Sequence, residues 1–247
     1  MEQRNSKKEI ISKLQQEILH LEGFKPAPAG VNSVAGLGPV ESAFPNKVFP
    51  TGALHEFLNL IPEQSAASGG FIAGLLKTLM QQGSLCIWIS SRRVLFPPAL
   101  KAFGVEPDRI IFVDLAADRD VLWAMEEALK CEGLSAVIGE VRELTFTQSR
   151  RLQLAIEKSQ VTGFVLRSDE RKLGANACVA RWKISPISSV LEEGMPGVGF
   201  PRWNVELLKV RNGNPGIWQI EWSPEGFKLI TQEQVRVELP LQERKTG

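Results

Sequence analysis

The residues Pro62, Glu63, Ser68, Gly69 and Gly70 sit where a chain can wrap a phosphate. An apolar run, Ala53–Leu60, leads into them. An amphipathic stretch carrying Ile72, Leu75, Leu76 and Leu79 follows, and then the wholly apolar Leu85–Ile89. Strand, loop, helix, strand is the context in which glycines allow close backbone approach to a nucleotide. Such a loop also needs a lysine for the β/γ-phosphates and a hydroxyl-bearing residue for magnesium. Here no Gly-Lys-Ser/Thr occurs, and the first lysine, Lys77, falls well inside the helical stretch. The order of elements therefore predicts a degenerate phosphate loop over Pro62–Gly70, with no nucleotide, no other cofactor and no metal held.

Other candidate groups are sparse. Glu140 follows the apolar run Ala136–Gly139, where a magnesium-holding aspartate would be expected; alone, it reads as a capping or surface residue. Ser90-Ser91-Arg92-Arg93 follows the second strand, and an arginine pair cannot serve as a general base at neutral pH. His20 and His55 have no ligand partner at metal spacing, and no Gly-x-Ser-x-Gly elbow occurs. The predicted catalytic set is therefore empty. Arg142, Arg150 and Arg151, together with Arg167, Arg171 and Lys172, form a candidate basic edge for DNA or an acidic partner, weighed against an ordinary solvated face.

The elements that must position these residues follow from hydrophobic periodicity. Strands are expected at Ala53–Leu60, Leu85–Ser90, Arg109–Val113, Ala136–Gly139 and Gly163–Leu166. Helices are expected at Gly70–Gln82, Pro97–Phe103, Asp118–Cys131 and Thr147–Ser159. This alternation predicts an α/β fold with a mostly parallel central sheet covered on both faces. Ala177–Ile184, Arg202–Val210 and Gly216–Trp222 read as antiparallel strands added C-terminally, the last two joined by a turn at Asn212–Gly216. Ahead of all this, Ser6–Glu22 spaces Ile10, Ile11, Leu14, Ile18 and Leu21 as one helical stripe, facing either its own domain or a partner. The Pro-, Gly- and Ala-rich Gly23–Pro50 reads as a linker. The expected division is residues 1–50 for the helix and linker, 51–231 for the core and 232–247 for a polar tail.

Composition narrows the function. A net charge of +1 over 247 residues offers no global attraction to nucleic acid or membrane, so any DNA contact is expected to be weak or indirect. Three cysteines without Cys-x-x-Cys spacing suit buried, reduced thiols. No apolar run approaches the ~18 residues of a membrane span, and the polar N-terminus predicts a cytoplasmic protein.

From about Gly36 to Phe227 the chain resembles the RecA-like proteins and, within them, the ImuA family. Phe49-Pro50-Thr51-Gly52-Ala53-Leu54-His55-Glu56-Phe57 resembles the RecA entry strand, and Leu60-Ile61-Pro62-Glu63 the start of its phosphate loop. Trp88 to Leu100, with Phe103-Gly104-Val105 and Arg109–Val113, resembles the run from second to third strand and is the most ImuA-like stretch. Phe200–Trp222 with Gly226-Phe227 resembles the late hairpin. Departures fall at the functional positions: no lysine or threonine in Gln64–Gly70, arginine at Arg92, Gly139-Glu140 at the magnesium position, and Arg167-Ser168 at the nucleotide-sensing end. The segments matching the two DNA-binding loops, Glu140–Thr147 and Asp169–Asn176, are short. The resemblance thus implies a RecA-like core without ATP hydrolysis or filament formation, working as a non-enzymatic adaptor in SOS mutagenesis and translesion synthesis. Its implied partners are an ImuB-like protein related to Y-family polymerases, a C-family error-prone polymerase, and RecA. Ile10, Leu14, Ile18, Arg92, Arg93, Arg142, Arg150, Arg151, Arg171 and Lys172 are the candidate partner or DNA contacts. The alternatives are an ATP-binding recombinase-like protein with an unorthodox loop and a SulA-like inhibitor of cell division.

Overall fold

The computed structural model describes residues 13, 14, 17, 35–80, 83–92, 94–169, 173–191 and 198–230. Nine strands form one sheet: β1 (Leu54–Leu58), β2 (Leu85–Ser90), β3 (Ile110–Asp114), β4 (Leu134–Val141), β5 (Thr162–Arg167), β6 (Ala180–Ile187), β7 (Arg202–Val210), β8 (Gly216–Ser223) and β9 (Gly226–Leu229). Their order is β3-β2-β4-β5-β1-β6-β7-β8-β9. The first six in that order run parallel, and β7, β8 and β9 are antiparallel. The sequence placed all the late strands antiparallel; β6 instead pairs parallel with β1. The segment after β5 runs back to the start of β1, where the Val179 N–H donates to the Leu54 carbonyl at 2.8 Å.

Two helical layers cover the sheet. On one face lie α1 (Pro62–Leu79) and the 3₁₀ turn Pro97–Phe103. On the other lie α2 (Asp118–Ala128) and α3 (Phe146–Ser159). α3 begins with a capping box in which Thr145 and Gln148 satisfy each other's backbone N–H groups. β1 is buried at all five positions, as a central strand covered on both sides must be. Residues 35–50 do not form a loose linker. Leu37, Val40, Phe44 and Phe49 enter the α1-side core, because this stretch carries enough apolar side chains to join it.

That core is strongly aromatic. Trp182 is fully buried, stacks on Phe57 at 5.9 Å and lies within 6.0 Å of Phe71. Trp203, Trp222 and Phe227 continue the cluster towards β9. α1 can lie this close because of its small residues. A Cβ on Gly74 would sit 2.5 Å from the Phe227 ring and 2.8 Å from that of Trp222.

Candidate functional site

The predicted phosphate loop is not a loop. Pro62–Gly70 forms the first turns of α1, which begins eight residues ahead of the expected Gly70 start. The physical reason is local. Proline suits the first helical position, because it has no N–H to lose and its φ is already helical. The Gln64 carboxamide then holds the chain entering the helix, accepting from the Leu60 N–H at 2.9 Å. Ala66 and Ala67 favour the continuing helix. Gly69 and Gly70 are helical residues, not loop hinges; a Cβ on Gly70 would stand 3.0 Å from Phe103 and 3.2 Å from Trp203.

This geometry leaves few of the groups an anion would need. The Gln64 and Ser65 N–H groups donate to the Ile61 carbonyl at 3.1 and 3.2 Å. Pro62 has none to offer, and Glu63 places a carboxylate in the first turn. The Ser68 hydroxyl, the group that could have faced a cation, donates to Asn59 Oδ1 at 2.6 Å and is fully buried.

Between β2 and β4 the connections leave on opposite faces of the sheet, one to Pro97–Phe103 and the other to α3. Open α/β sheets bind ligands at such a switch point, outside the carboxyl ends of the strands. A pocket of about 540 Å³ occupies that position. Its strand residues are Trp88 of β2, Glu140 of β4, Leu166 of β5, Pro186 of β6 and Trp203 of β7; α1 supplies Ala66, Ala67, Gly70 and Ala73, and Leu95, Phe96 and Phe103 close the side. No lysine, arginine or histidine is among the described residues lining it, whereas Glu63 and Glu140 are. Glu140 is the penultimate residue of β4, one residue short of the strand's end, and accepts from Trp88 Nε1 at 2.6 Å. Burial pushes its carboxyl above the usual carboxylate range, with the indole hydrogen bond opposing. The pocket suits an apolar occupant with donor or cationic groups at its margin. It does not suit a triphosphate.

The candidate basic edge is also rearranged. Arg167 leaves it: this side chain is buried against Glu56 Oε1 at 3.2 Å. Glu56, itself fully buried, also accepts from Arg181 at 2.5 Å and Asn176 at 2.7 Å. Arg142, Arg150 and Arg151 do share the α2–α3 side, but each meets a carboxylate, those of Asp118 (3.3 Å), Glu157 (3.6 Å) and Glu126 (2.6 Å). Among the described residues this face carries mixed charge. At its centre Trp123 is 63% exposed beside Arg119 and Arg151. Sequence reasoning missed this residue. Its only signal was a tryptophan at a polar-face position of an amphipathic helix. Arg92 and Leu14 are exposed. Ile10, Ile18, Arg93, Arg171 and Lys172 lie outside the described residues.

His55 is structural. Its ring stacks on Phe49 at 4.5 Å, and its Nε2 lies 2.8 Å from the Pro50 carbonyl. Trp182 Nε1 donates to Nδ1 at 3.3 Å, which assigns the proton to Nε2 and leaves the ring neutral. Burial pushes its pKa down to about 4, opposed by the Pro50 hydrogen bond. Among the described residues no group of three or more His, Cys, Asp or Glu side chains is placed to hold a metal, and no helix is long and apolar enough to cross a membrane.

Fold and site together define an α/β protein with a mostly parallel sheet whose switch-point crevice is apolar and carboxylate-bearing. No protein-family profile matches the chain. It is 32% identical to protein ImuA of Caulobacter vibrioides over 210 residues, in each of two strains, spanning 78% of this chain and 86% of the relative. The chain belongs to the ImuA family. It is also 27% identical to the cell division inhibitor SulA of Yersinia pestis over 129 residues, 52% of this chain and 76% of that protein.

Proposed function

We propose that this chain is a non-catalytic, RecA-like adaptor in the error-prone, SOS-linked response to DNA damage, working through protein–protein contacts. Membership of the ImuA family supports the biological setting. The observation that carries the mechanism is the crevice. Where a nucleotide's phosphates would need N–H donors and a cation, the first turn of α1 opens on a proline without an N–H, the Gln64 and Ser65 N–H groups are paired to Ile61, and the lining residues bring two carboxylates and no described cation. The partners in this reading are an ImuB-like protein and, with it, an error-prone polymerase; RecA is a further candidate. The mixed-charge α2–α3 face supplies the contact: a Trp set among arginines and carboxylates has the make-up of a binding hot spot with a polar rim.

Two measurements test the proposal. Calorimetric titration with magnesium and ATP gives no heat at millimolar nucleotide, and an ImuB-like protein co-purifies with the chain. ATP binding tighter than about millimolar would overturn the non-catalytic reading. A clean absence of ImuB-like binding would overturn the adaptor. A second reading, a cell-division inhibitor, rests on the SulA similarity over half of the chain. Binding to FtsZ in place of an ImuB-like partner would select it.

A further inference from the structure

The crevice pocket carries a charge that its walls do not neutralise. Along β4 the side chains facing α1 are Ala136, Ile138 and then Glu140, so a carboxylate ends an apolar row. Its neighbour in β5 is Leu166, and the Trp88 indole of β2 reaches it from the other side. That indole occupies Oε1. Oε2 has no hydrogen-bond partner among the described residues and is not sealed from solvent, so it opens on the pocket. A carboxylate oxygen in apolar surroundings needs a donor. Trp88, Phe96, Phe103 and Trp203 line the same space, with Phe103 stacked on Trp203 at 6.2 Å. Aromatic faces attract organic cations. We infer that the crevice pocket is a binding site for a small apolar organic cation, a protonated amine on an aromatic or alicyclic body, whose nitrogen donates to Glu140 Oε2.

Charge, size and rigidity support this assignment. Glu63 adds a second carboxylate from the first turn of α1, and no described lining residue is cationic. Two carboxylates repel an anion by the same Coulomb force that draws an amine. Burial already pushes the Glu140 carboxyl above its usual range, and a cation beside it would favour the ionised form. The volume of about 540 Å³ falls within the roughly 300–1,000 Å³ of small-molecule sites. A single lysine side chain from another protein, a thin aliphatic stem, would leave much of that space unfilled. The walls are formed before any ligand arrives: Trp88, Leu100, Leu166 and Trp203 are buried core residues, so binding need not order them.

The test is a titration of the full chain followed by heteronuclear NMR, with the Trp88 indole N–H, bonded to Glu140, as reporter. The probes are benzylamine, cyclohexylmethylamine and naphthylmethylamine, each beside the alcohol and the carboxylate of the same skeleton. The amines are expected to shift the Trp88 signal saturably and to bind at least tenfold more tightly than their alcohols, with the carboxylates silent. Glu140→Gln keeps an acceptor for Trp88 and should bring amine and alcohol level. Ala66→Trp should abolish binding of both. Ala66 is exposed on α1, so the helix can carry the larger side chain, and an unchanged urea midpoint verifies that each variant folds. No saturable shift with any amine, equal binding of amine and alcohol, or amine binding unchanged in either variant overturns the inference. Tighter binding of an acetyl-Leu-Lys-Leu-amide peptide than of the amines also overturns it, since the occupant would then be a side chain of another protein. Neither nucleotide nor partner enters the experiment, so its failure leaves the adaptor reading standing.

Discussion

Protonating His55 sets a charge among Phe49, Phe164 and Trp182 at a fully buried position. It also turns Nδ1 into a donor facing the Trp182 N–H, so one hydrogen bond becomes a clash of two donors. The folded pKa of about 4 lies below the ordinary 6.5, so the unfolded chain takes up the proton first. The stabilisation is therefore complete above about pH 6.5 and is lost as the pH falls towards 4. Linkage between these two values puts the loss from pH 7 to pH 5 at about 2 kcal/mol, within a total of about 3. The assay is urea unfolding followed by tryptophan fluorescence at half-unit steps of pH, for the wild type and His55→Gln. Glutamine keeps a donor and an acceptor but does not titrate. Carboxylates contribute equally to both proteins, so the difference between the two curves isolates His55. That difference should shrink by about 2 kcal/mol between pH 7 and 5. Parallel curves would refute the reasoning, because the ring would then not be held neutral by its burial.

Glu56→Ala leaves Arg167 and Arg181 without their shared carboxylate, and should lower unfolding stability by roughly 3–5 kcal/mol in the same urea assay. Gly74→Ala would gain about 1 kcal/mol in an open helix. Here the added methyl meets the Phe227 and Trp222 rings, so a net loss of about 1–3 kcal/mol is expected in the urea midpoint. Trp123→Ala should leave that midpoint within about 0.5 kcal/mol while weakening capture of an ImuB-like partner at least tenfold in a pull-down titration. Cys131 is exposed whereas Cys86 and Cys178 are buried, burial pushing both buried thiols well above the usual thiol range. A thiol reagent should therefore modify one cysteine in the native protein and all three in denaturant.

β1 to β8 were legible as short, largely apolar runs bounded by turn residues, and β7 lies at its predicted Arg202–Val210; β9, the four residues Gly226–Leu229, was not expected. The start of α1 was not. Pro62 and Gly69-Gly70 act as punctuation in a sequence, yet here the proline takes the first helical position and the glycines make room for Phe103 and Trp203. The Glu56 cluster joins residues 111 to 125 positions apart, which no local pattern encodes. Its one local trace is a lone acid in an otherwise apolar strand. The crevice pocket was equally hidden, since its walls come from β2, β4, β5, β6, β7 and α1, and only the sheet order brings them together.

The same sheet order governs how the chain can be made. β1 lies between β5 and β6, with Leu54 opposite Gly163 and His55 opposite Ala180. A ribosome adding about 5–20 residues per second therefore releases β1 roughly 5–20 s before either neighbour exists. For that interval Leu-His-Glu-Phe-Leu is a newborn strand with both edges open. Glu56 then does a second job, since a charge inside an apolar strand discourages pairing with the wrong chain until Arg167 and Arg181 arrive to neutralise it.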